Sequence, residues 1–203
     1  MNTTIHVART PSRNETSEPV TLDVPIRSQA DYPEGVSQWC SPTSLTMVLA
    51  YYAKRLQRES LAMEVRDVAH AVYDPGWPGT GNWAFNMAFA GAQPGLRAVV
   101  LRMPELATLE AWLSREVPVI ASVSHAQLNG REIADRNDGH LVVVVGFDRQ
   151  GDVLVNDPGV RMERVRRTIA RADFQRAWGY SRNTTYVVCP DLQFQAMNRW
   201  MTP

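Results

Sequence analysis

Cys40, His140 and the adjacent pair Asn156 and Asp157 are the residue types that together carry out nucleophilic acyl transfer. A thiol needs a base to take its proton, and the base needs an acceptor on its other ring nitrogen. His140 can be that base. Asp157 could hold the imidazolium by charge, or Asn156 could orient the ring by hydrogen bonding alone. The developing oxyanion also needs donors, usually the nucleophile's own N–H and a side-chain amide. Gln29 and Gln38 are the amides upstream of Cys40. Each element of this set has a plain structural reading. A lone cysteine often packs as a small hydrophobe, and an NDPG run is an ordinary turn. The chemistry is suggested by the set.

The residues must be positioned by local structure. Cys40 is followed by SPTSLTMVLAYYAKRLQ, in which Leu45, Val48, Leu49, Tyr52 and Leu56 repeat with helical period. The spacing predicts a helix from Ser41, with Ser41 as cap and Pro42 in the first turn, where its missing N–H leaves no bond unmade. A cysteine at a helix start meets unsatisfied N–H groups and the positive end of the dipole, which favour a thiolate.

His140 and Asp157 are placed by DGHLVVVVGFDRQGDVLVNDP, two apolar runs joined by a turn at Arg149 to Gly151. An antiparallel hairpin returns Asn156 and Asp157 towards His140. Counted from the turn, His140 and Asp157 are about three residues out of register, roughly 10 Å along a strand. A bulge, strong twist or longer turn must close part of that gap.

Further helices are predicted over Met63–Tyr73, over WAFNMAFAGA with Asn82 as N-cap, over Glu105–Glu116 and over ARADFQRAW. Strands are predicted at Leu96–Met103, Val117–Ser124, Leu141–Phe147, Val153–Asn156 and Thr184–Cys189. This is an α+β pattern, a helical N-terminal half packed on a mainly antiparallel sheet from the C-terminal half. Residues 1–19, with a strand-like TTIHV and the polar PSRNETSEP, read as an N-terminal arm, and 20–203 as one domain.

Composition narrows the function classes. Twenty-one basic residues balance twenty-one acidic ones, so no net field favours nucleic acid or an anionic membrane. No run reaches the roughly 18 apolar residues of a membrane span, and no secretory signal opens the chain. The expected compartment is the bacterial cytoplasm, or export with a missing leader. Two cysteines do not make a disulfide framework, and neither His70 nor His125 has a partner at metal-ligand spacing. No cofactor or metal is expected, and both histidines read as surface or structural. The run RMERVRRTIARAD is locally basic and reads equally as a site for an acidic partner or as a solvated, arginine-decorated strand edge. In YDPGWPGTGNW, Tyr73, Trp77 and Trp83 are candidates either to wall a peptide cleft or to pack in the core.

The stretches VPIRSQ, WCSPTSLTMVLAYY, GTGNWAFN, DGHLVVVVGF and VNDP, in that order, resemble the papain-like cysteine peptidases of the bacteriocin-processing type, especially their stand-alone bacterial branch. RADFQRAW and TTYVV follow in the same order. The resemblance implies a papain-like fold and a peptide or protein substrate. It implies Cys40 as nucleophile, His140 as base, Asp157, before proline, as third member, and Gln29 as the oxyanion-hole amide. The chain departs from transporter-linked members at Ser41, where glycine is usual, and in the ten positions between Gln29 and Cys40, where the usual spacing is shorter. Cleavage after a double-glycine leader is therefore not carried over. Transglutaminase-like or amidase acyl transfer would use the same residues, and a peptide-binding module without turnover would keep the same fold.

Overall fold

The computed structural model describes residues 19–134 and 137–201. The TTIHV segment, and PSRNETSEP except its last residue, Pro19, lie outside the described residues. The described chain is α+β, with seven helices and a seven-stranded antiparallel sheet.

The first long element is α1 (Cys40–Arg55). It is buried on nearly every side from Ser41 to Ala53, so it is a core helix, broader in its burial than the predicted stripe. Leu56, expected on that stripe, is instead the half-exposed C-cap. Two short helices follow, α2 (Val65–Ala71) and α3 (Trp83–Gly91), the latter capped by Asn82, whose side chain accepts from the Ala84 N–H. α3 is followed by β2 (Leu96–Arg102) and α4 (Leu106–Leu113). The strand β3 (Val119–Ser124) and the single-turn α5 (His125–Leu128) lead to β4 (Gly139–Phe147). The chain continues through β5 (Val153–Asn156), β6 (Arg166–Ile169), α6 (Arg171–Gly179), β7 (Thr184–Pro190) and α7 (Asp191–Met201).

The strand order is β2-β7-β3-β4-β5-β6, with the two-residue β1 (Val20–Thr21) pairing the far end of β4. β4 is central and its Val142–Val145 run is fully buried, as an apolar run covered on both faces should be. α1 packs against β4, α3 against β2 and β7, and α6 against β3 and α5.

The pairing of β4 with β5 slips by one residue between Val144 and Gly146. Gly146 is required beside that bulge, because a Cβ there would lie 2.0 Å from the Val20 carbonyl oxygen of β1. The slip decides which face each residue takes. Before it, Gly146 pairs with Leu154; after it, Val143 pairs with Asn156. Continued by one step, Asp157 falls opposite Val142, on the same face as His140. An unslipped hairpin would set Asp157 opposite Val143, whose face His140 does not share.

Candidate active site

Cys40 is the first residue of α1, and Trp39 caps the helix without any side-chain hydrogen bond. The expected Ser41 cap is therefore not seen, and Ser41 lies inside the helix. The reason is local: the 33–39 segment is already coiled, with Trp39 N–H bonded to Gly35 O at 2.9 Å, so the helix begins one residue earlier. With no capping side chain, backbone N–H groups at the helix start remain for the thiol, and that of Ser41 bonds to it.

α1 is tied to β4 beside the histidine, because Ser44 Oγ donates to the Leu141 carbonyl at 3.3 Å. Cys40 and His140 are hydrogen-bonded side chain to side chain. His140 uses Nε2 to meet Asp157 Oδ1 at 2.7 Å, which leaves Nδ1 for the sulfur. Asp157 is fully buried and His140 nearly so. The three side chains thus form one line from helix start to strand end.

Asn156 faces the other way. Its Nδ2 donates to Val24 O at 3.2 Å, and its Oδ1 accepts from Arg166 Nε at 3.0 Å. Adjacent strand residues point to opposite faces, so only one of Asn156 and Asp157 can reach His140.

Gln29 is buried and opens a short 3-10 turn capped by Ser28. Its backbone N–H donates to Pro158 O at 2.9 Å, and Ser28 Oγ donates to Val160 O at 2.6 Å. The turn that opens at Gln29 is thereby clasped to the loop that follows Asp157. The Gln29 amide donates to Val36 O at 2.6 Å, acting as an internal strut of the coil that leads to Cys40. Its second N–H remains for another acceptor. Gln38 is exposed, and its carbonyl accepts from Thr80 Oγ1 at 3.0 Å.

The electrostatics follow from burial and pairing. Burial alone would raise the Cys40 thiol, but the hydrogen bond and charge of His140, with N–H groups of Leu141 and Ser41, bring it below the ordinary value. Burial alone would lower His140; Asp157 and Cys40 overturn that and push it up to about 10. Burial opposes ionisation of Asp157, yet His140, Arg167 and the Gly159 N–H hold it below the usual carboxylate range. All three shifts favour thiolate, imidazolium and carboxylate together. The second cysteine differs: Cys189 is buried in the core, pushed up to about 12 by burial and Asp191, and inert as a nucleophile. Both cysteines are free thiols.

Three neighbours were not foreseen. Gly159 N–H donates to Asp157 Oδ1 at 2.9 Å, and a Cβ at Gly159 would come within 2.8 Å of His140 Cε1. His125, expected at the surface or in a structural role, packs its ring edge-on to His140 with centroids 5.2 Å apart. Arg167 places Nη2 3.4 Å from Asp157 Oδ2, so one arginine of the supposed solvated edge turns inward. The alternation of β6 carried that information: Arg167 shares a face with Ile169, which is buried.

The aromatic segment is organised by Asp74, which accepts from the Gly76 and Trp77 N–H groups and from Asn82 Nδ2. Tyr73, Trp77 and Trp83 are largely exposed, which removes the core reading for all three. Among the described residues no group of histidine, cysteine or carboxylate side chains is arranged to hold a metal.

A family model for the C39-like peptidases matches residues 21–186. The chain is similar in fold to a candidate C39-like peptidase from Bacillus anthracis, known from a crystal structure. The two share 18% identity and a TM-score of 0.63, over 85% of this chain and 98% of the other. No curated protein matches the chain.

Proposed function

The chain belongs to the C39-like peptidase family, and on that premise we propose that it is a cysteine peptidase acting through Cys40, His140 and Asp157, with Gln29 in the oxyanion hole. The observation that carries this reading is the line of contacts itself. A thiol at a helix start is bonded to a histidine whose Nε2 sits 2.7 Å from a fully buried carboxylate.

The steps follow from those positions. His140 Nδ1 takes the thiol proton, and Sγ attacks the substrate carbonyl carbon. The carbonyl electrons move to oxygen, where the Cys40 N–H and the second N–H of the Gln29 amide hold the charge. The oxyanion collapses, the C–N bond breaks, and the leaving nitrogen takes the proton from His140. A water then gives a proton to His140 and its oxygen to the acyl carbon, the C–S bond breaks, and the sulfur takes the proton back from His140, which frees the acid and restores the thiol.

Asp157 keeps the imidazolium charged and oriented through both steps. Retention of a coupled thiol and histidine favours turnover over a binding-only module. The test is labelling by a peptide carrying a thiol-reactive electrophile. The native chain should label at Cys40, and Cys40→Ala and His140→Ala should not. Labelling unchanged in either variant would sink the assignment.

A further inference from the structure

We propose that Arg167 is a positioning residue of this site, which pins the outer oxygen of Asp157 and takes up part of its charge so that His140 can release its proton. The inference rests on the catalytic reading given above.

The two carboxylate oxygens of Asp157 are unequal. Oδ1 receives both His140 Nε2 and the Gly159 N–H, whereas Oδ2 is buried with no hydrogen bond. The cation beside Oδ2 is Arg167, at 3.4 Å. Its guanidinium is held there from behind: Nη1 donates to Asn129 Oδ1 at 3.0 Å and Nη2 to Leu128 O at 3.4 Å. Both acceptors sit at the end of α5, whose first residue, His125, rests on the His140 ring. One helical turn therefore braces the base on one side and the cation behind the carboxylate on the other.

The placement is that of a site group. Arg167 pairs with Val155 across β5 and β6, so Asp157 lies on its diagonal, within reach of a long side chain. Its side chain is only 17% exposed, unlike a solvated edge arginine. A carboxylate whose whole charge faced His140 would hold the imidazolium too firmly for an acid that must protonate a leaving amine. A second cation on Oδ2 shares that charge and stops the carboxylate from turning.

The groups that bear on His140 are Cys40 from α1, Asp157 after β5, Arg167 from β6 and His125 from α5. Arg131 and Asp138 act on His125, and Tyr186 of β7 senses Cys40.

The test is the titration of the His140 ring followed by nuclear magnetic resonance in the full chain, assigned by substitution. Arg167→Met should move that titration upward by about half a pH unit or more, roughly a threefold gain in proton affinity. Arg167→Lys should bring it back towards the native value. Asn129→Ala, which keeps the charge but removes its shortest anchor, should shift it in the same direction by less. A merely structural arginine would lower the melting temperature and leave the titration in place. An unchanged titration in folded Arg167→Met overturns the proposal, as does an unchanged titration in Arg167→Lys and Asn129→Ala if the methionine variant does not fold. Failure of the catalytic reading looks different: native Cys40 would then alkylate like an ordinary thiol, while the His140 titration would still report on Arg167.

Discussion

Gly159 packs closely against His140, the proposed base. A methyl group there would lie 2.8 Å from His140 Cε1 and 3.0 Å from Nε2, so either the ring or the NDPG turn must move. Gly159→Ala should therefore lower the rate of Cys40 labelling by about tenfold or more, because imidazole orientation is part of catalysis. Retained labelling in a folded variant would show that the ring has room. Asn156 and Asp157 should separate cleanly by their partners. Asp157→Asn removes the charge that supports the imidazolium and should slow neutral-pH labelling by at least about tenfold. Asn156→Ala instead leaves Val24 O and Arg166 short of a partner, and denaturant unfolding should show a loss of about 1–3 kcal/mol with the labelling profile in place. The pH dependence of peptide hydrolysis follows from the paired shifts. Thiolate should be present below the ordinary thiol range, and activity should fall as His140 loses its proton, raised to about 10. An alkaline limb near the ordinary histidine value would contradict the pairing.

Two elements turn these residues into a site, and they were legible to different degrees. The helix after Cys40 could be read from the spacing of Leu45, Val48, Leu49 and Tyr52, since burial of those positions imposes the period. The hairpin was legible as well, together with its misfit of about three residues between His140 and Asp157. What the residues could not reveal was the device that closes part of it and turns Asp157 to the face of His140. The bulge at Val144–Gly146 is set by β1, which approaches Gly146 and takes the Val145 carbonyl through the Leu22 N–H at 2.7 Å. That contact joins positions more than a hundred residues apart, and no local pattern encodes it. His125 was missed for the same reason, since its role comes from a neighbour on another strand, whereas the inward face of Arg167 lay in the alternation of β6 and only its partner, Asp157, did not. The loop before α3 depends instead on a local network, in which the Asp74 carboxylate receives three donors. Asp74→Ala should cost about 1–3 kcal/mol and expose residues 74–82 to limited proteolysis. A loop as resistant as in the native chain would show that Thr80 and Asn86 suffice to hold it.

The whole molecule is a frame for one chemical state. Trp112, Trp178, Phe174 and the Val142–Val145 run fill a continuous core beneath the sheet and its helices, and Trp112→Ala should lower stability by about 3–5 kcal/mol. By contrast Trp83 and Phe85 of α3 are substantially exposed, so replacing either by serine should change stability by no more than about 0.5 kcal/mol. Cys40, His140 and Asp157 form one coupled line in which His140 and Asp157 are buried and Cys40 is partly exposed. Its direct test is the rate of iodoacetamide alkylation of Cys40 against pH, in the native chain and in His140→Ala. The native thiol should react at neutral pH with a midpoint below the ordinary thiol value. Without His140 the midpoint should move upward, because burial is then opposed only by the Leu141 and Ser41 N–H groups. Superimposable profiles in the two proteins would contradict the account.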